Sequence, residues 1–106
     1  MKGRKPTAKE QKHMNEVRSL GCIVCFNNGY TFTPAEIHHV HGKTKENAHF
    51  QVLPLCPIHH RTGRHEGDIS RHPNKARFEE AYGTEEELLE QVRQLLLLEP
   101  HEREFI

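Results

Sequence analysis

The chain has no tryptophan and only seven aromatic residues, two Tyr and five Phe. Hydrophobic residues make up 34% of its 106 positions, so a deep, self-sufficient core is not expected. No apolar run approaches the ~18 residues of a membrane-spanning helix, so no part is expected to enter a bilayer. Net charge is also missing: fifteen Lys and Arg balance fifteen Asp and Glu. That excludes a uniformly basic nucleic-acid binder but not a local basic patch. Cysteines number three, which cannot all pair with one another, and no signal peptide is expected at Met1. A disulfide framework is therefore not expected. A reduced, cytoplasmic chain with thiolate–metal bonds is. The length allows one domain, and a structural metal commonly supports domains this small.

The charges that are present are unevenly placed. Residues 1–20 carry Lys2, Arg4, Lys5, Lys9, Lys12 and Arg18 against two Glu, whereas residues 84–106 carry seven Glu against two Arg. Thr7 with Glu10 has the spacing of a capping box, which predicts a helix over 8–20 ended by Gly21. A turn follows at Cys22–Cys25 and another at Asn27-Asn28-Gly29. Residues 35–40 and 51–55 read as strands of a hairpin with a long polar loop over 42–47. Pro57 suits the first turn of a helix. Residues 61–73 read as a loop rich in Arg and His, and 75–82 as a helix stopped by Gly83. A second capping box, Thr84 with Glu87, starts a last helix that runs to about Glu99. Its Leu88, Leu89, Val92, Leu95 and Leu96 form one apolar stripe expected to pack on its own domain, and Leu97 and Leu98 widen it enough to leave a dimer contact open. The expected organisation is a basic tail and helix (1–20), a zinc-stapled core (21–83) and a packing helix (84–106).

Cys22 with Cys25, and Cys56 with His59, are two ligand pairs, each with two residues between its members. Zinc takes four such ligands in a tetrahedron, and two tight turns can present two each. Joining the pairs closes the hairpin between them, so metal binding becomes folding energy. His60 is the substitute for His59 as fourth ligand.

Of the nine histidines outside that set, seven are candidates for other work: His38, His39, His41, His49, His60, His65 and His72. Neighbouring side chains on a strand face opposite ways, so one of His38 and His39 can bind a metal while the other meets a substrate. On a helix His60 points ~100° away from His59, toward the hairpin. His72 or His65 completes a second set.

The order of these residues resembles the HNH (ββα-metal) endonucleases, with His-His on the first strand, a second strand, and a helix carrying further His. The flanking zinc pairs are similar to the zinc-stapled, treble-clef-like branch. The longest resemblance is to phage recombination-enhancement nucleases of the Ref type. It is carried by Gly21-Cys22-Ile23-Val24-Cys25, by Thr33-Pro34-Ala35-Glu36-Ile37-His38-His39, and by Leu53-Pro54-Leu55-Cys56-Pro57-Ile58-His59-His60-Arg61-Thr62-Gly63. It continues through His72 and from Phe78-Glu79-Glu80-Ala81-Tyr82-Gly83 into Thr84-Glu85-Glu86-Glu87-Leu88-Leu89. The resemblance implies an α+β fold: a small zinc-stapled ββα-metal domain with flanking helices. It also implies DNA phosphodiester hydrolysis, with His38 on a catalytic metal and His39 as the general base for water. His60 and His72 are the expected remaining ligands, and His65 the alternative to His72. The ion would be Mg²⁺, Mn²⁺ or Zn²⁺, an all-histidine set favouring a transition metal. Asn47 or His49 would orient the His39 segment. A host recombination protein is an implied partner, although the basic arm here is shorter than in Ref-type proteins.

Arg61, Arg64, Arg71 and Lys75 adjoin the second set in sequence. With Lys2, Arg4 and Lys5 they are expected to neutralise DNA phosphates without reading bases. The competing reading is a zinc-stabilised module that binds DNA or protein and has no activity. Both readings need the three cysteines, and only the nuclease needs His38 and His39. A zinc hydrolase of small molecules would want the Glu base of a His-Glu-x-x-His motif, which is missing.

Overall fold

A two-stranded antiparallel ribbon, β1 (Glu36–His39) and β2 (Val52–Leu55), organises the chain. The register pairs Glu36 with Leu55 and His39 with Val52. The coordinates are a computed structural model that describes residues 5–30, 32–42, 47–63 and 67–105. Lys2, Arg4, Arg64, His65 and most of the hairpin loop lie outside the described residues. The fold is small α+β, with four α-helices and this one ribbon among the described residues.

Helix α1 (Ala8–Ser19) starts at the capping box. The Glu10 backbone N–H donates to the Thr7 hydroxyl oxygen at 3.2 Å, and the Thr7 N–H donates to the Glu10 carboxylate at 2.8 Å. These bonds satisfy amides that the helix itself leaves without partners. Gly21 follows with φ +76°, a left-handed conformation suited to glycine. A Cβ there would lie 2.8 Å from the Phe32 ring, so a side chain would have to push that ring aside.

All four residues of β2 are buried, which explains its unbroken apolar sequence. Helix α1 lies against both strands through Met14 and Val17, and α4 packs on β2 and α1. Helix α4 (Glu85–Leu97) also begins at its expected capping box and buries Leu88, Leu89, Val92 and Leu95. Leu96 is partly buried, whereas Leu97 is 79% exposed. Phe78 of α3 (Lys75–Tyr82) is fully buried beneath the ribbon's core cluster. Each such side chain contributes ~1.5–3 kcal/mol by burial, a thin total for a chain of this size.

Four local features differ from the sequence reading. The Cys22–Cys25 segment is the start of a short helix, α2 (Ile23–Asn27), because the Cys22 sulfur caps it by accepting from the Cys25 N–H at 3.5 Å. Residues 48–50 form a 3-10 turn before β2. The segment after Pro57 is a single π-helical turn, Ile58–Thr62, closed by Gly63 N–H donating to the Ile58 carbonyl at 2.8 Å. The last α-helix stops at Leu97, where a further 3-10 stretch, Pro100–Phe105, follows. There the Arg103 guanidinium donates to the Leu95 and Leu98 carbonyls at 2.9 and 3.2 Å, satisfying C-terminal acceptors of α4. Among the described residues, no helix is long and apolar enough to cross a membrane.

Candidate metal centres

Two turns meet end to end at the first centre. Cys22 and Cys25 come from the start of α2, and Cys56 and His59 from the end of β2 and the π turn. All four are buried, and their ligand atoms lie within 4.8 Å of one another. The Cys25 and Cys56 sulfurs are 3.9 Å apart. The His59 Nδ1 atom is 3.7, 3.6 and 3.2 Å from the Cys22, Cys25 and Cys56 sulfurs. A tetrahedral ion with metal–sulfur bonds of ~2.3 Å and metal–nitrogen bonds of ~2.0 Å would show edges of roughly 3.5–3.8 Å. The donor set therefore fits a structural metal, and His59, not His60, completes it.

Burial pushes the Cys22 thiol up to about 12 and raises that of Cys25. Three thiolates packed this closely would repel one another, and a divalent cation reverses that balance. On the far side of His59, Nε2 lies 3.4 Å from the Asp68 carboxylate, and the ring meets Tyr82 edge to face at 5.3 Å. A carboxylate behind a metal-bound imidazole fixes its tautomer and orientation.

The π turn sends its two histidines to different centres. His59 joins the cysteines, while His60 turns toward β1. There the rings of His38, His60 and His72 stand 5.2 Å apart in all three pairings, with candidate ligand atoms within 4.8 Å. Backbone bonds bring His72 in: the Arg71 N–H donates to the His59 carbonyl at 2.8 Å, and the His72 N–H to the His60 carbonyl at 3.0 Å. The segment before α3 is thereby fastened along the π turn. Burial, followed by the charges of His38, Arg71 and His60, lowers the pKa of His72, which favours the neutral form that binds metals.

Carboxylates support this centre too. Glu36 and His38, two apart on β1, share a face. The Glu36 carboxylate lies 2.8 Å from His60 Nδ1 and takes two bonds from Arg61, from Nε at 3.0 Å and from one terminal nitrogen at 2.6 Å. Arg61 and His60 hold its pKa down to about 2. Glu85, at the first position of α4 and 2% exposed, lies 2.6 Å from His38 Nε2 and accepts from Arg71 Nε at 2.7 Å. Burial alone would raise its pKa, but the His38 and Arg71 bonds bring it down to about 2. The sequence reading missed Glu36, Glu85 and Asp68. Strand alternation carried a signal for Glu36; nothing distinguished Glu85 from its two neighbours or pointed to Asp68.

His39 projects from the opposite face of β1, where its Nε2 lies 2.9 Å from Nδ1 of the buried His49. The two rings meet edge to face at 5.0 Å. Asn47, of the pair considered for this role, is exposed in a left-handed conformation (φ 64°) before the 3-10 turn. Of the basic residues expected at DNA, Arg61 and Arg71 are engaged with Glu36 and Glu85. Lys75 is exposed, 3.9 Å from Glu85, and Lys5 is exposed ahead of α1.

The family model described as recombination enhancement, RecA-dependent nuclease matches residues 6–97. That span runs from just before α1 to the last residue of α4 and includes every residue of both centres. The chain therefore belongs to the family of recombination-enhancement, RecA-dependent nucleases.

Proposed function

We propose that the protein is a metal-dependent DNA endonuclease of the HNH (ββα-metal) type. In this reading Cys22, Cys25, Cys56 and His59 hold a structural Zn²⁺, and His38, His60 and His72 hold a catalytic divalent ion. The observation that carries it is the His38–His60–His72 cluster, whose His38 is the strand neighbour of His39 in the His39–His49 pair. The bound ion would supply Lewis-acid stabilisation of charge developing at the scissile phosphate. Three imidazoles suit Zn²⁺ or Mn²⁺ better than Mg²⁺, which prefers oxygen.

His39 acts as the general base. A neutral imidazole near pH 7 can take the proton of an attacking water, and the His49 contact holds the His39 ring in place while it does so. His39→Ala should thus remove activity without disturbing either cluster. Lys75 and Lys5, with Lys2, Arg4 and Arg64, would meet DNA phosphates and set position without reading sequence. The thiolate site requires a reducing compartment, which fits the cytoplasm of a bacterial or phage-infected cell. The family description adds a dependence on RecA, so the proposed partner is DNA handled by that recombination protein.

The test is cleavage of plasmid and single-stranded DNA under Mg²⁺, Mn²⁺ and Zn²⁺, with and without RecA, comparing the parent with His39→Ala. Cleavage by the parent alone supports the nuclease. Intact DNA in every condition, with both proteins folded and carrying zinc, supports a binding module instead.

A further inference from the structure

Glu85 bridges two of the three histidine-bearing segments at the second centre. One of its carboxylate oxygens lies 2.6 Å from His38 Nε2 on β1 and accepts from Arg71 Nε at 2.7 Å in the segment that carries His72. The other oxygen lies 3.9 Å from the Lys75 ammonium group. The residue is 2% exposed. A carboxylate this deeply buried persists only when it is paired and hydrogen-bonded. Its backbone is fixed as well: the Glu85 N–H donates to the Glu79 carboxylate at 2.8 Å, just inside the Thr84–Glu87 capping box.

We propose that Glu85 is the positioning residue of the second metal centre. It orients His38 with Nε2 toward the carboxylate and Nδ1 toward the ion, and through Arg71 it fixes the segment that delivers His72. Arg71 is then part of the metal site's support, not a phosphate contact. The geometry supports this division. An arginine whose Nε is committed to a buried carboxylate has less freedom to meet DNA, and Arg71 itself is largely covered, its side chain 16% exposed. Glu36 plays the same part for His60 from a half-buried position, with Arg61 as its counter-ion. Losing an outer partner of this kind typically weakens metal binding 10–100-fold.

The inference rests on His38, His60 and His72 being metal ligands, and the experiment separates the two. Zn²⁺ is titrated calorimetrically into parent, Glu85→Gln and Arg71→Gln proteins that already carry one zinc per chain. The substitution of Glu85 keeps the side chain's volume and removes its charge. Both variants should keep the first zinc and bind the second 10–100-fold more weakly. Histidine ¹⁵N spectra of the zinc-saturated parent should show His38 protonated at Nε2, and that signature should be lost in Glu85→Gln. DNA binding of Arg71→Gln should keep the parent's salt dependence. If the parent takes up no second zinc, the ligand assignment fails and the role of Glu85 fails with it. If the parent binds a second zinc and Glu85→Gln binds it equally well, the positioning role alone is overturned. An Arg71→Gln protein with unchanged second-zinc affinity and a salt slope reduced by ~1 would make Arg71 a phosphate contact. That result overturns its place in the metal site's support.

Discussion

The Nε2 atom of His39 lies 2.9 Å from Nδ1 of His49. One of these nitrogens must donate to the other, so the pair defines which way the His39 ring faces. His49 is buried on the 3-10 turn before β2, while His39 sits on β1. A buried ring on one strand's approach thus orients a half-buried ring on the other.

His39→Ala should lower the cleavage rate by ~10²–10⁴-fold, the usual range for removing a general base. His49→Gln should lower it less, on the order of tenfold, because the proposed base remains and only its orientation suffers. Single-turnover plasmid nicking under Mn²⁺ reads both effects. Unchanged circular dichroism and zinc content would confirm that neither substitution acts through the fold. Equal rates for His39→Ala and parent would remove His39 from the chemistry.

Cys56→Ser should unfold the chain. Structural zinc sites are worth an apparent ~10–16 kcal/mol, as much as the ~5–15 kcal/mol of total stability in ordinary domains. Cys56 is 2% exposed and joins β2 to the π turn, so its loss releases both the metal and the element that carries His59 and His60. Metal analysis should find less than one firmly held zinc per chain, and the helical signal should collapse. A variant that keeps its zinc and its fold would show that the Cys₃His cluster does not hold the structure together.

Zinc affinity at that cluster should rise steeply with pH. Burial places the Cys22 thiol at about 12 and raises Cys25, so both carry protons near neutrality when the metal is absent. Binding expels those protons, so acid opposes it and base favours it. The logarithm of the affinity should climb by at least about two per pH unit between roughly pH 6.5 and 8, one for each expelled proton. Competition with a chelator of known pH dependence measures the slope. A flat profile would mean that the cysteines bind no metal or are already thiolates.

How much of this was legible depends on how local the causes are. Both capping boxes lie within four residues, and α1 and α4 start where Thr7 and Thr84 place them. The paired cysteines were readable because ligand spacing is a local constraint on a turn. Helix α2 was not, since its cap is a cysteine sulfur, outside the usual Ser, Thr, Asp and Asn set. The π turn was not either: the main-chain bonds that border it come from Arg71 and His72, beyond the loop that follows it. The supporting carboxylates were hidden for the same reason. Glu85 meets His38 at a separation of 47 residues, and no pattern in the chain announces that contact.

Lys75 and Arg61 differ in what they would bring to the proposed DNA surface. Both side chains are 56% exposed, but their neighbours differ. Arg61 grips Glu36 through two nitrogens, at 3.0 and 2.6 Å, so a phosphate approaching it also meets that carboxylate. Lys75 stands 3.9 Å from Glu85, whose carboxylate is already bonded by Arg71 and His38. Of the two, Lys75 is thus the more weakly held cation beside the histidine cluster. Lys75→Ala should weaken duplex binding and reduce the slope of log affinity against log salt by ~1, the loss of one phosphate contact. Arg61→Ala should change that slope less and should instead weaken uptake of the second metal, because Glu36 and His60 lose their anchor. Fluorescence anisotropy across a salt series, run beside a zinc titration, separates the two effects. A slope lowered equally in both variants would show that Arg61 leaves Glu36 to meet the DNA.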